Sequence, residues 1–345
     1  MPRTASRLVR AAAASLAVAL ALTGCAATTP AEPAASTETD AAVEHADLSL
    51  QLRFIANAQF AGSYMAQENG HYDDEDLTVS MTPGGVGIAI DPLVAQGTAD
   101  IGISSAANVA MARAEGADLK IIGAGYQHSA TVVMSLPENP IETLAELKGR
   151  KLGAVSSNFA MVIAFLEANG IAEDEVELVS IQGDAAPLLS GQVDAMMTIA
   201  TSQPLVLEAQ GIEPVLIPMA ENNFDELDFT YIVTERTLAD PAKRAAVVRF
   251  LRAEIAGWND ALADPEAAAD LAVDVYGKDN GLDRAQQVAQ ATAQVSLFQT
   301  DDDAPGIFWL SDAGMERTLA TLDKRGIDAD ESLFDTSILT EVYGG

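Results

Sequence analysis

The chain has 345 residues, 49% of them hydrophobic, and a formal net charge of -32 from 51 acidic against 19 basic side chains. Such a surface repels phosphate backbones and anionic lipid, which argues against a nucleic-acid partner. A single cysteine excludes an intrachain disulfide and a Cys-based metal site, and three histidines do not suffice for a histidine-rich one.

Arg3, Arg7 and Arg10 precede an uncharged apolar run, Ala11 to Leu22. That run suits the h-region of a secretory signal and is too short to cross a bilayer as a helix. Leu22-Thr23-Gly24-Cys25 follows and resembles the lipobox of bacterial lipoproteins, in which a cysteine is lipidated and becomes the new N-terminus. Residues 1–24 are therefore expected to be a lipoprotein signal peptide, with Cys25 the lipid attachment. Loss of three arginines would take the net charge from -32 to -35. Residues 25–47 are rich in Ala, Thr, Pro and Glu and read as a flexible tether. Its ends would lie roughly 25 Å apart. No later segment has the length and apolarity of a transmembrane helix.

From Leu48 strands and helices alternate. Leu48 to Ile55, Leu77 to Met81, Asp100 to Ile103 and Leu119 to Ala124 read as strands. Between them Gly62 to Asn69, Ile88 to Gln96 and Ala106 to Glu115 read as helices, each stopped by a glycine. The order then starts again. Strands are predicted at Lys151 to Val155, Val176 to Ile181, Asp194 to Ile199 and Pro214 to Pro218. Helices are predicted at Ile141 to Lys148, Phe159 to Asn169, Ala185 to Ser190 and Gln203 to Gln210. After a strand at Asp228 to Val233 the last third is helical, over 242–263, 265–275, 284–295 and 311–324. This pattern predicts an α/β fold of two Rossmann-like lobes with mostly parallel sheets and right-handed crossovers. Residues 48–130 with 232–345 would form lobe 1, and residues 131–231 lobe 2, joined by a two-strand hinge. Ligands in open α/β sheets sit beyond the carboxyl ends of the strands, so the loops there are candidates for the site.

Several blocks carry a family resemblance: Gln59-Phe60-Ala61-Gly62-Ser63-Tyr64-Met65-Ala66, Asn69-Gly70-His71-Tyr72, Pro83-Gly84-Gly85, Val94 to Gly102, Leu144 to Gly153, and Ser190-Gly191-Gln192-Val193-Asp194-Ala195. In this order they resemble solute-binding proteins of ABC importers, in the branch that carries thiamine pyrimidine precursors, riboflavin, sulfonates and nitrate. Ser311-Asp312-Ala313-Gly314-Met315 is similar to the tail of the pyrimidine and riboflavin members. The resemblance implies a type II periplasmic-binding fold. It also implies a monomer that delivers a small molecule to permease subunits at the outer face of the cytoplasmic membrane, held there by Cys25, or in the periplasm.

Candidate ligand contacts follow the strands. Gln59 offers an amide and Tyr64 a ring for stacking on a flat ligand, although aromatics at helical spacing, Phe60 included, are usually core. Gly84 and Gly85 would let backbone amides approach closely, or form an ordinary turn. Ser104 and Ser105 in one lobe, and Ser156, Ser157 and Asn158 in the other, end a strand and open a helix. Such residues cap the helix, and its free N–H groups could also meet ligand. Gln127 and His128 lie at the first crossing, where His128 would contact ligand or serve the hinge. Thr201, with Ser202 and Gln203, and Tyr231 at the return crossing complete the set, and Trp309 reads as a packing anchor.

Lysine and arginine are scarce in these loops. Sulfonate or nitrate sites more often recruit a guanidinium or ammonium. A neutral, flat, polar heterocycle is therefore expected, with sulfonate, taurine or nitrate the alternative. No enzyme is expected, and no cofactor or metal. Pyrimidine synthases that resemble this family carry a cysteine-rich motif, and here Cys25 lies outside the fold. A Walker A loop, a Gly-x-Ser-x-Gly elbow and a His-Glu-x-x-His pair are all missing.

Overall fold

A computed structural model of the protein describes residues 44–85, 87–300 and 304–344. The expected signal, Cys25 and most of the tether lie outside the described residues. Among those described, no helix is long and apolar enough to cross a membrane.

The strands β1 (Ala46–Gln51), β2 (Leu77–Thr82), β3 (Ile101–Ser104), β4 (Leu119–Tyr126) and β10 (Asp228–Thr234) form one sheet, in the order β2-β1-β3-β10-β4. A second sheet holds β5 (Thr131–Ser135), β6 (Lys151–Ala154), β7 (Glu177–Ser180), β8 (Ala195–Ile199) and β9 (Val215–Pro218), in the order β7-β6-β8-β5-β9. β1 is parallel to β2 and β3, and β6 to β7 and β8. β10 runs antiparallel to β3 and β4, and β5 to β8 and β9. Each sheet thus has one reversed strand, and it is the strand that arrives from the other sheet. The mostly parallel sheet read from the sequence holds for strand direction but not for pairing, because each reversed strand lies inside its sheet. β5 is an addition: a short apolar run that follows the crossing without a clear period. β1 begins at Ala46, inside the expected tether, and ends at Gln51, so Arg53 and Phe54 leave the sheet.

The first sheet is connected by α1 (Ala61–Glu68), α2 (His71–Asp74), α3 (Ile90–Ala95) and α4 (Ala106–Ala114). The second uses α5 (Phe159–Ala168), α6 (Ala186–Leu189) and α7 (Gln203–Glu208). The last third supplies α8 (Glu235–Ala239), α9 (Pro241–Ala263), α10 (Pro265–Leu271), α11 (Arg284–Leu297), α12 (Asp312–Lys324) and α13 (Ser337–Gly344). Their starts follow from capping chemistry. Asp240 accepts from the amides of Ala242 and Lys243 ahead of α9, with Pro241 at its first position. Asp264 ends α9 and caps α10 in the same way, and Ser311 caps α12.

α1 lies across α9 on the first sheet. Gly62 faces the Trp258 ring, and Gly257 faces the Gly62 carbonyl and Ala66. Trp258 stacks on Phe298 at a centroid distance of 4.0 Å. Beside this crossing the carboxylate of Glu254, fully buried, accepts from Ser63 at 3.0 Å, Tyr231 at 2.6 Å and Tyr72.

Two crossings join the sheets, at residues 127–130 and 219–227. Asp225 ties one to the other. Its carboxylate meets His128 Nδ1 at 2.6 Å, the Ser129 amide at 2.9 Å and Arg317 Nε at 2.9 Å. Burial pushes this carboxyl upward, but those hydrogen bonds and the charges of His128 and Arg317 hold it below its ordinary value. α12 braces the second crossing along one face. Thr318 Oγ1 accepts from the Leu227 amide, Thr321 donates to the Asp225 carbonyl and Lys324 to the Asn223 carbonyl.

Candidate functional site

A cleft of about 910 Å³ lies beside the crossings, and residues on both sheets and their loops line it. Six of the expected residues reach it: Gln59, Ser104, Ser105, Asn158, Thr201 and Ser202. α11 holds the turn that carries Gln59. Gln287 Oε1 accepts from the Ala58 amide at 2.8 Å, and Gln294 Nε2 donates to the Ala58 carbonyl at 2.9 Å. Ser105 caps α4 through the Asn108 amide, as its position predicts. Ser104 turns inward instead and donates to Asp91.

The other expected residues are placed differently. Tyr64 is fully buried and stacks on Tyr276 at 4.0 Å and 8°; burial raises its hydroxyl, which finds no partner. Tyr231 is buried in β10, donates to Glu254 and accepts from Trp258 Nε1 at 3.0 Å. Both rings serve the core, as their helical and strand spacing allows. Gln127 is buried and donates to the Ala124 carbonyl, and His128 serves the Asp225 junction. Gly84 packs against the Leu52 carbonyl so closely that a Cβ would stand 2.4 Å from it, and Gly85 follows in the same turn. Ser156 and Ser157 are exposed in a short 3-10 turn, Ser156–Asn158, and make no side-chain cap bond to α5. The capping expected there is absent because the 3-10 turn occupies the start of the helix.

What the sequence reading missed is charge. Six charged side chains line the cleft: Arg53, Asp91, Glu115, Glu226, Asp228 and Arg325. Two arginines therefore stand where few cations were expected. Arg53 belonged to a predicted strand, and Arg325 follows the distant helix α12. Neither is free. Arg53 bonds Asp228 at 2.8 Å and lies over the rings of Phe229 at 5.2 Å and Tyr126 at 5.7 Å. Arg325 Nη1 meets both oxygens of Glu226, at 3.1 and 3.3 Å. Phe229, next to Asp228 at the start of β10, has φ of +53°, a conformation that costs about 1–3 kcal/mol and that its aromatic neighbours hold in place.

The opposite wall, from residues 131–218, carries no charged lining residue. Val155, Met161, Met197 and Ile199 face the cleft there, and Phe54, Ile88 and Met111 face it from the first side. Five of the seven exposed large hydrophobic residues among those described are in this set, so the exposed apolar surface is concentrated in the cleft.

Burial pushes the Glu226 carboxyl up to about 7; Arg325 opposes this, and Asp228 and Asp225 add to it. A raised folded value means that the contribution to stability is complete below the ordinary value of 4.5 and is lost as pH rises through about 7. Thermal stability is therefore expected to decline between about pH 4.5 and 7, and Glu226→Gln to remove most of that decline. Parallel calorimetric profiles for the two proteins would refute this.

The chain is 27% identical to the riboflavin-binding protein RibY of Chloroflexus aurantiacus over 265 residues, 74% of each chain. It is 22% identical to a formylaminopyrimidine-binding protein of Halalkalibacterium halodurans, over 65% of this chain and 69% of that one. Among solved structures, the periplasmic aliphatic sulphonate binding protein SsuA from Escherichia coli superposes with a TM-score of 0.59 at 16% identity, covering 80% of this chain and 85% of that one. The fold is that of the periplasmic binding proteins. The NMT1/THI5-like family profile matches residues 57–268, more than half of the chain, and the protein belongs to that family.

Proposed function

We propose that the protein is an extracytoplasmic solute-binding lipoprotein of an ABC importer, anchored through Cys25, that binds a flat polar heterocycle and delivers it to a permease. The heterocycle is of the thiamine-pyrimidine-precursor or riboflavin class. What carries the reading is the charge of the cleft. Both guanidinium groups are already matched by carboxylates, two further carboxylates line the same cleft, and the facing wall is uncharged. An anion would have to displace a carboxylate from arginine, a costly exchange in a partly buried site. A flat ring meets the apolar side chains of both walls, and its polar edge meets Gln59, Ser104 and Asn158. Contact with both walls favours closure about the two crossings, the first sheet and its helices, β10 included, moving against the second sheet and its helices.

The sulphonate-binding likeness keeps the anion reading as the rival. Mass spectrometry of the exported protein, purified without added ligand, tests both. A co-purifying pyrimidine or flavin, and a diacylated Cys25, are expected. Titration calorimetry that detects taurine, an alkanesulfonate or nitrate and no heterocycle would overturn the ligand class, and an unmodified Cys25 would overturn the anchor. Turnover of the bound molecule would overturn the binding role.

A further inference from the structure

Five of the six charged side chains in the cleft are accounted for. Four form the two ion pairs, and Glu115 is exposed at the rim. Asp91 is not. It is 6% exposed, one residue into α3, and has no ion-pair partner among the described residues. Its one side-chain partner there is Ser104, whose hydroxyl lies 2.9 and 3.1 Å from the two carboxylate oxygens. A hydroxyl has one proton to give, and a carboxylate offers about four lone-pair directions. Most of the accepting capacity of Asp91 is therefore unused, at a position that lines the cleft.

A second unspent group lies beside it. Thr230 pairs with Ser104 across the β3–β10 ladder, and residues directly opposite share a face of the sheet. Thr230 Oγ1 is fully buried and has no hydrogen-bond partner. Asp91, Ser104 and Thr230 thus make a buried polar patch with more acceptor capacity than donors to fill it. Burial disfavours the charged form of Asp91, against the Ser104 hydrogen bond and its own amide, as for a carboxylate that lacks its partner.

We propose that Asp91 is the specificity-determining acceptor of the cleft, taking a hydrogen bond from an N–H group on the edge of a nitrogen heterocycle, either an exocyclic amine or a ring imide. This rests on the heterocycle reading above and narrows it. A ligand edge with only acceptors leaves the carboxylate unmatched, and an anion is repelled. A buried acceptor left unpaired discriminates strongly against a ligand that lacks the donor.

The test is titration calorimetry on the full-length mature protein with two pairs of probes. One pair is an aminopyrimidine and its N,N-dimethyl analogue; the other is riboflavin and its N3-methyl analogue. At least one parent is expected to bind wild type roughly 10-fold or more tightly than its methylated partner. Asp91→Asn should weaken the parent by roughly 10- to 100-fold and close most of that gap, because the amide now presents a donor. A purely steric penalty on methylation would persist in the variant and would overturn the assignment. Equal binding of parent and methylated probe to wild type would also overturn it, and needs no variant that folds. If neither parent binds wild type, the heterocycle reading fails and Asp91 loses its role with it.

Discussion

Alanine at Gly62 or at Gly257 is expected to cost about 3 kcal/mol or more, at or beyond the upper end of the usual penalty for overpacking. Both glycines lie inside helices, where alanine is favoured over glycine by roughly 1 kcal/mol. The expected sign therefore depends on packing. A Cβ at Gly62 would stand 2.1 Å from ring carbons of Trp258, and one at Gly257 would stand 2.4 Å from the Gly62 carbonyl oxygen and 2.5 Å from Ala66. These neighbours are a wedged ring and backbone, not the loose end of a flexible side chain. Trp258 is itself stacked on Phe298, so relief requires α1 and α9 to separate. Urea denaturation gives the cost directly. A midpoint unchanged, or raised as helix propensity alone would have it, would mean that the two helices part cheaply.

Glu254→Ala is expected to lose on the order of 4 kcal/mol, from a cavity and from hydroxyls left without an acceptor. The carboxylate is fully buried and no ion pair to it occurs among the described residues. Burial raises it, while hydrogen bonds from Tyr231, Tyr72, Ser63 and Trp258 work the other way. Three of the four elements meeting there, α1, α2 and β10, contribute a hydroxyl to its two oxygens, and Glu254 itself comes from α9. Glu254→Gln keeps the volume and one strong acceptor, and the Tyr72 oxygen can in turn accept from the new amide. That variant is expected to stay within about 1 kcal/mol of wild type, the worth of one ordinary hydrogen bond. Equal losses for the two variants in the same denaturation series would show that charge, not hydrogen-bond matching, is what the site requires.

These three positions show where sequence reading succeeds and where it stops. Gly62, Ser63 and Tyr64 belong to the block that resembles solute-binding proteins, of which Gln59 and Tyr64 are the expected ligand contacts. Only Gln59 of it reaches the cleft; the following residues hold α1 against α9. Repetition along a helix announces that a face is buried, but not whether protein or ligand buries it. Element boundaries were more legible. Gly97 and Gly116, the glycines that stop two of the predicted helices, have φ of +77° and +97° just beyond α3 and α4, a conformation glycine adopts at little cost. Ser104, Ser105 and Thr201 were legible for a related reason, since strand ends point to the cleft in this class of sheet. The charged residues were hidden. Arg53 finds Asp228 across 175 positions, and Arg325 finds Glu226 across 99. In sequence each looks like a solvated charge at the end of an element. Asp91 looked like an ordinary acidic residue in the first turn of a helix, and only the fold removes its water.

The place of β10 also has a consequence in time. β3 and β4 are near neighbours in sequence but never touch as a ladder, because β10 lies between them and pairs with both. The interior of the first sheet therefore stays unfinished until residue 234 has left the ribosome, whereas every strand of the second sheet has emerged by residue 218. The sheet that begins first is completed last. Closing it brings together segments about a hundred residues apart, the kind of pairing that slows folding more than it alters final stability. Until then the edges of β3 and β4 are open. This strand order thus builds a delay into the folding of the first sheet.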